Sequence, residues 1–314
     1  MTLMASMIPE AIPLDRLLSR LRPVMPDAVE RADRALGTVL AGICQSSWPE
    51  IAWRASSLTN TGYPVEFSWS SRDASVRWVA EVAGPEVSGC GKIALALQIL
   101  HGFEGHSSCF SHLLPQPSQP LRFGAWIGGR HDGRHDRYKL YLDAANGSVA
   151  KQFLPPGVLH SVPSRTIWRM LGMDANQATI ELYGRLAKPE VWEMERLMVH
   201  CGFSPDPVMD FSLRLTGRPR DDFLLPGTAG ISLTVRDGLL LAAGFFVHSG
   251  PLIGNTNAVS TRIRELARHH GWNTDIYDAM LGSDPPENKP GRHGMIGFGV
   301  AADSKPWMQV GLRP

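Results

Sequence analysis

The 314-residue sequence predicts an α+β fold, a closed antiparallel β-barrel of about ten strands with helices outside, residues 1–314 forming a single domain. Three observations predict it. Strand-like segments come in adjacent pairs, whereas a parallel α/β fold needs single strands between helices. The order helix, hairpin, helix, hairpin recurs along the whole chain. An open sheet of that many strands would expose two edges, and closure removes both.

Residues 27–44 open the pattern as a helix, with Ala28, Ala32, Leu36, Val39 and Leu40 at helical spacing. In "YPVEFSWSSRDASVRWVAEV" (63–82), Val65, Phe67 and Trp69 alternate with Glu66, Ser68 and Ser70. Val76, Trp78 and Ala80 on the return strand alternate with Arg77 and Glu81, with Val79 between. "KIALALQILHGF" (92–103) is the second helix, which "LLPQPSQP" ends. "LRFGAWIGG" and "DRYKLYLDA" form the second hairpin around the turn "RHDGRH". A short helix is expected over 164–171, then the strand "ATIELYGRL" and a helix over 189–203. "VMDFSLRLTG" reads as another strand, so that Val208–Thr216 either completes the third hairpin or begins the fourth. "GISLTVRDGLLLAAGFFV" (230–247) turns at Asp237-Gly238, a strong two-residue hairpin signal. A helix over 258–272 and the terminal hairpin "GMIGFGVAADSKPWMQVGLRP" complete the chain.

Composition narrows the function. Hydrophobic residues make up 43%, enough for a sizeable core, and 31 Lys and Arg against 30 Asp and Glu leave a charge of +1. No basic block suits a nucleic acid. Four cysteines without CxxC spacing read as reduced thiols of a cytoplasmic protein, with Cys90 and Cys109 structural. Neither a secretion signal nor an apolar run of about 18 residues is present, so no membrane span is expected. His131, Asp132, His135 and Asp136 in "RHDGRHD" read as an exposed turn and not as a metal site. His269-His270 suits a helix C-terminus. "SGCGK" lacks the phosphate loop's first glycine, where Glu86 stands, and its hydroxyl, where Ile93 stands. There is no DDxxD cluster for magnesium, and "RDDF" (220–223) is too short to replace it. No metal site and no required cofactor are expected, magnesium being left open though no DDxxD motif indicates it.

Period-two alternation gives the predicted lumen face. It holds Glu66, Ser68, Arg77 and Glu81, then Arg122, Trp126, Arg137, Lys139, Tyr141 and Asp143. Glu181, Tyr183 and Arg185 follow, then Asp210, Ser212 and Arg214 from the strand expected over Val208–Thr216. Ser232, Thr234 and Arg236 come next, and Trp307, Gln309, Gly311 and Arg313 line the last strand. Fixed cations suit a diphosphate leaving group. Aromatic faces stabilise a carbocation and exclude water. A carboxylate accepts the acceptor's proton. A flat sheet with one wet side explains each charge singly; a closed lumen explains them together.

"PVEFSW…VRW", "RYKLYL" and the terminal "MQVGLRP" resemble the ABBA, or prenyltransferase-barrel, aromatic prenyltransferases, which are built of repeated αββα units. The likeness extends to the dimethylallyltryptophan synthases and to the cyanobactin peptide prenyltransferases, whose third hairpin "MLGMDANQATIELYGRLA" is similar to. The resemblance implies that Glu66 takes part in proton removal and that Arg77 and Lys139 grip the diphosphate. Arg137, Arg185, Arg214, Arg236 and Arg313 are expected to add positive charge around it. Tyr141 and Tyr183 would belong to the cation shield, with Trp126, Trp307, Gln309 and Gly311 lining the rest of the shield and acceptor pocket. Glu181 departs from the fungal branch, which has a lysine there, and Gly311 stands in place of a shielding tyrosine. With five tyrosines in the chain, Trp126 or Trp307 has to compensate, or Gly311 opens the barrel end for a peptide. The expected activity is transfer of a dimethylallyl or longer prenyl group from its diphosphate to an indole, phenol or peptide side chain, by a monomer or weak dimer. The alternative is a non-catalytic barrel that binds a small hydrophobic or aromatic ligand.

Overall fold

The computed structural model describes residues 11–104, 121–143, 152–174, 178–217, 228–282 and 292–314. Its strands are β1 (Val65–Ser70), β2 (Val76–Glu81), β3 (Ala125–His131), β4 (Asp136–Asp143), β5 (Ile167–Asp174), β6 (Thr179–Ala187), β7 (Thr228–Arg236), β8 (Leu239–His248), β9 (His293–Ala301) and β10 (Pro306–Leu312). Each pairs antiparallel with its neighbours in sequence, and β10 returns to β1, closing a barrel. Phe67 opposite Leu312 and Trp69 opposite Val310 make that last seam. The β1–β2, β3–β4, β7–β8 and β9–β10 turns therefore gather at one end, with the described connecting helices toward the other.

The helices are α1 (Ile12–Leu21), α2 (Pro26–Val39), α3 (Ala41–Cys44), α4 (Pro49–Ala52), α5 (Gly89–Glu104), α6 (Pro156–Ser161), α7 (Val191–His200), α8 (Asp206–Thr216), α9 (Ser249–Ile253), α10 (Thr256–His270) and α11 (Asp275–Leu281). The expected helices at 27–44, 92–103, 189–203 and 258–272 correspond to α2 with α3, α5, α7 and α10. α2 buries Ala28, Val29, Ala32, Ala35, Leu36 and Val39, one apolar stripe, and lies over β2 and β3. α5 covers β3 and β4, and α8 covers β9. α10 starts where Asn255 accepts the Ala258 N–H and ends at Gly271, with Arg268, His269 and His270 in its last turn. The core thus lies between barrel and helices: Phe67, Trp69, Trp78, Ile127, Leu140, Phe245, Phe298 and Val310 all turn outward and are buried there. The opposite face of each strand is left for the lumen.

Two expected elements differ. Val208–Thr216 is no strand but most of α8, so it belongs to neither hairpin. Its hydrophobic residues satisfy both periods in the sequence, but Val208, Met209, Phe211, Ser212 and Leu215 are buried while Leu213 is 40% exposed, a helical pattern. Pro207 in the first turn and Gly217, left-handed at φ 68°, mark its ends. Arg214 therefore points away from the lumen and pairs with Asp210 at 2.8 Å along the helix, and Asp210 and Ser212 leave the lumen with it. The helix expected over 164–171 gives way to β5, which forms the third hairpin with β6. A bulge between Trp168 and Met170 breaks the alternation that would have marked it as a strand. "LLPQPSQP", Cys109 and "RDDF" lie outside the described residues.

Candidate active site

Three guanidinium groups form a row across the inner face near the hairpin turns. Arg77 on β2 faces Arg130 on β3, which faces Arg137 on β4. Asp73, from the turn after β1, sits between the first two: Arg77 Nη2 lies 2.5 Å from its Oδ2, and Arg130 Nη2 reaches the same oxygen. Arg77 Nε also donates to Ser75 Oγ at 3.0 Å. Burial pushes Asp73 up, but Arg77, Ser75 and Arg130 together hold its carboxyl below the ordinary value. Arg130 is pulled down to about 10, by burial first and then by its like-charged neighbour Arg77.

Beside this row lies a polar and aromatic cluster on β4 to β8. Gly172 on β5 carries no side chain where a Cβ would stand 3.2 Å from Lys139 and Tyr141 and 3.3 Å from Tyr183. Through that gap Lys139 Nζ on β4 reaches Glu181 Oε1 on β6 at 2.7 Å. The Tyr183 hydroxyl donates to the other Glu181 oxygen. The Tyr141 ring lies 5.5 Å from Lys139 Nζ, and ring centroids run 6.1 Å from Tyr141 to Tyr183 and 6.1 Å from Tyr183 to Phe246. Burial works to deprotonate Lys139, but Glu181, with smaller help from Asp174, raises its pKa.

Glu66 occupies the half of β1 toward the helix-bearing end. Its neighbour on the same face, Ser68, stands opposite Arg77, so the carboxylate is one inner-face step, about 7 Å, from the row of cations. Gly294 and Gly311 make room for it: a Cβ at either would come within 2.3 and 2.7 Å of Glu66 Oε1. Among the described residues no hydrogen bond or ion pair holds this carboxylate, and Arg313 acts on it only at longer range. Burial pushes its pKa up to about 7, against the pull of Arg313.

A second carboxylate, Glu81, is different in kind. It is 2% exposed and accepts from Ser56 Oγ at 2.9 Å, Lys92 Nζ at 2.9 Å and Trp126 Nε1 at 3.1 Å. Trp126 in turn stacks on Phe123 at 3.9 Å. Glu81 ties the barrel rim to α5, and Trp126 is held in that tie. Arg122 precedes β3 and pairs with Asp143 at 3.1 Å.

On the opposite wall, Trp307 of β10 lies across Gly244, Gly297 and Gly299, where a Cβ would come within 2.7, 3.7 and 2.8 Å of its indole. The Arg72 guanidinium stands over the ring, 5.7 Å from its centroid. The Trp307 N–H is buried with no partner among the described residues. Gln309 opposite Ser70 and Gly311 opposite Ser68 share that inner face.

Of the residues singled out from the sequence, Arg77, Arg137, Lys139, Tyr141 and Tyr183 come together on adjoining strands, with Glu66, Gly311 and Arg313 as a second group. Arg185 and Arg236 are exposed, the latter beside the Asp237-Gly238 turn, and Arg214 is outside altogether. Arg72, Asp73, Arg130, Phe246 and the glycine floor were not singled out. Arg130 alternates with Trp126 and Gly128, a signal masked by assigning it to the turn. Asp73, inside a turn, carried no signal.

His131 is not the exposed turn residue expected. It is fully buried on the outer face, where Nε2 accepts from Trp78 Nε1 at 3.0 Å and Nδ1 meets Asp136 Oδ1 at 2.9 Å. Arg31 Nε completes the tie to Asp136 at 2.7 Å. Among the described residues no group of three His, Cys, Asp or Glu is placed to hold a metal ion. Cys44 and Cys201 are free thiols, and Cys90 lies at the surface.

No protein-family model matches the sequence, and no curated protein matches it significantly. Solved structures do match. The chain is 18% identical to 5-dimethylallyl tryptophan synthase from Streptomyces coelicolor, in complex with DMASPP and Trp, over 97% of this chain and 94% of that one, with a TM-score of 0.82. The 6-dimethylallyltryptophan synthase from Micromonospora olivasterospora, also with DMASPP and Trp, is 17% identical over 96% of each chain, with a TM-score of 0.78. AnaPT from Neosartorya fischeri is 11% identical over 89% of this chain and 88% of that one, with a TM-score of 0.59. At these identities the likeness is one of fold: the chain has the closed ten-stranded barrel of the ABBA prenyltransferases.

Proposed function

We propose that this chain is a prenyltransferase which moves a dimethylallyl, or longer prenyl, group from its diphosphate to an electron-rich acceptor, with an indole the first choice. Glu66 carries the reading. It is a carboxylate enclosed in a barrel, unpaired among the described residues, poised near neutral pH and one step from a row of cations. The indole follows from fold-mates whose structures hold DMASPP and Trp. Phenols and peptide side chains fit the same chemistry.

Heterolysis of the allylic C–O bond sends its electron pair to the diphosphate. Arg77, Arg130, Arg137 and Lys139 stabilise the charge that develops there. The allylic cation is shielded by Tyr141, Tyr183 and Trp307, whose faces repel water and attract positive charge. A nucleophilic atom of the acceptor closes the new bond to the prenyl carbon. The proton it then loses goes to Glu66, which at about 7 is near half ionised at neutral pH, and so both accepts and releases it readily. The products are prenylated acceptor, diphosphate and a proton. Side chains meet the leaving group's charge, so the reading requires no cofactor. We take residues 1–314 as one catalytic unit, acting as a cytoplasmic monomer or weak dimer; the free thiols of Cys44 and Cys201 suit a reducing compartment, and among the described residues no helix is long and apolar enough to cross a membrane.

Incubation with labelled dimethylallyl diphosphate and tryptophan, free indoles, phenols and aromatic peptides tests the reading. Labelled product with matching pyrophosphate release is expected. One observation favours the alternative of a barrel that binds an aromatic ligand without turning it over: Lys139 is already ion-paired to Glu181. Under that alternative no combination releases pyrophosphate.

A further inference from the structure

Lys139 and Tyr183 are well suited to grip an anion inside the barrel, and both are occupied by the protein's own carboxylate. Glu181 takes the Lys139 ammonium with one oxygen, at 2.7 Å, and the Tyr183 hydroxyl with the other. Asp174, which follows the Met173 that pairs with Leu140, adds a weaker pull on Lys139 at longer range. An incoming phosphate group can use Lys139 and Tyr183 only by displacing Glu181. An enclosed carboxylate stripped of both partners is strongly unfavourable unless a new cation receives it.

Arg72 is placed to do so. It stands at the turn between β1 and β2 and rests on the face of Trp307, 5.7 Å from the ring centroid. No carboxylate lies within ion-pair distance of it among the described residues. Both residues stand toward the hairpin end, Arg72 in the turn after β1 and Glu181 in the first half of β6; burial pushes the Glu181 carboxyl up, Lys139 and Tyr183 pull it down, and the charge of Arg72 adds least to that pull. A guanidinium parked on an aromatic ring at an exposed site is weakly held. Trp307 itself is seated on Gly244, Gly297 and Gly299.

We propose that Glu181 and Arg72 form a latch worked by the prenyl donor. The donor's phosphates take Lys139 and Tyr183, Glu181 exchanges them for Arg72, and Arg72 leaves Trp307. The move closes the hairpin end over the donor and bares an aromatic face to the prenyl group. Glu181 and Arg72 are thus positioning residues that set donor affinity and retention. The latch rests on the prenyltransferase reading.

Calorimetric titration with dimethylallyl diphosphate of the parent, Glu181→Gln, Arg72→Gln and the double variant tests it. Glu181→Gln removes the self-occupancy and is expected to bind the donor at least five-fold tighter. Arg72→Gln is expected to bind at least five-fold weaker than the parent, yet to change affinity less than two-fold when Glu181 is already Gln. The donor should also change tryptophan fluorescence in the parent, but not in Trp307→Phe or Glu181→Gln. An equal cost of Arg72→Gln in both backgrounds, or a Glu181→Gln variant that binds no tighter, overturns the latch. Should the parent transfer the prenyl group while either of those results holds, the latch alone fails. A parent that binds no dimethylallyl diphosphate removes the latch and the prenyltransferase reading together.

Discussion

Two carboxylates of the lumen show how placement decides chemistry at the scale of one residue. Glu81 accepts from a hydroxyl, an ammonium and an indole N–H, so its carboxylate is committed to tying the barrel rim together. Glu66 keeps its lone pairs unspent and its pKa near 7. Glu66→Gln is expected to lower kcat by about 10²–10⁴-fold while donor affinity in calorimetry stays within about two-fold. The base must be ionised to act, so kcat/KM should rise with pH, pass half-maximum near 7 and level off above it. The same shift bears on stability with a definite sign. The unfolded chain releases this proton near the ordinary glutamate value, about 4.3, and the folded chain only near 7. Across that window the folded state holds the extra proton, so stability falls as pH rises and is then constant. Glu66→Gln should therefore melt higher than the parent at pH 8 and alike at pH 4. Glu66 was legible because strict alternation in "PVEFSW" assigns it a face. The Lys139–Glu181 pair was not, since it joins β4 to β6 over the missing side chain of Gly172, and register between distant strands is absent from local pattern.

At the scale of elements, the misread segment is instructive. In "VMDFSLRLTG" the residues Met209, Phe211, Leu213 and Leu215 alternate, and Val208, Phe211, Ser212 and Leu215 also fall on one helical stripe. Hydrophobic periodicity alone leaves so short a run ambiguous, and the end signals decide it: Pro207 starts a helix and Gly217 stops one. Gly217→Ala is expected to cost about 1 kcal/mol, because a Cβ is disfavoured at φ 68°. Gly299→Ala tests the sheet in the same way with a different cause. Its Cβ would fall 2.2 Å from the Ala243 carbonyl oxygen and 2.8 Å from the Trp307 ring, so strand pairing and the indole seat must both shift. A larger loss, about 1–3 kcal/mol, is expected. Parallel urea melts compare the two, and a Gly299→Ala protein as stable as the parent would mean that Trp307 is not seated on this floor.

The molecule as a whole depends on one seam. Hairpins legible in the sequence imply the sheet, and the cost of free edges implies closure; the sequence carries no local sign of which strands meet, since β1 and β10 lie at opposite ends of the chain. That meeting brings Gly311 beside Glu66, and so completes the enclosure whose burial raises the pKa against the longer-range pull of Arg313. A chain ending at Lys305 lacks β10, leaving β1 and β9 as open edges and one side of Glu66 exposed to water. Such a chain is expected to lose its sharp thermal transition, to bind a hydrophobic dye at 25 °C and to aggregate, because the outward apolar face of β1, with Phe67 and Trp69, loses its neighbours Leu312 and Val310. Calorimetry and light scattering distinguish the outcomes. If the shortened chain melted as cooperatively as the parent and still bound prenyl diphosphate, the sealed lumen would be dispensable, and Glu66 would owe its proton affinity to something other than enclosure.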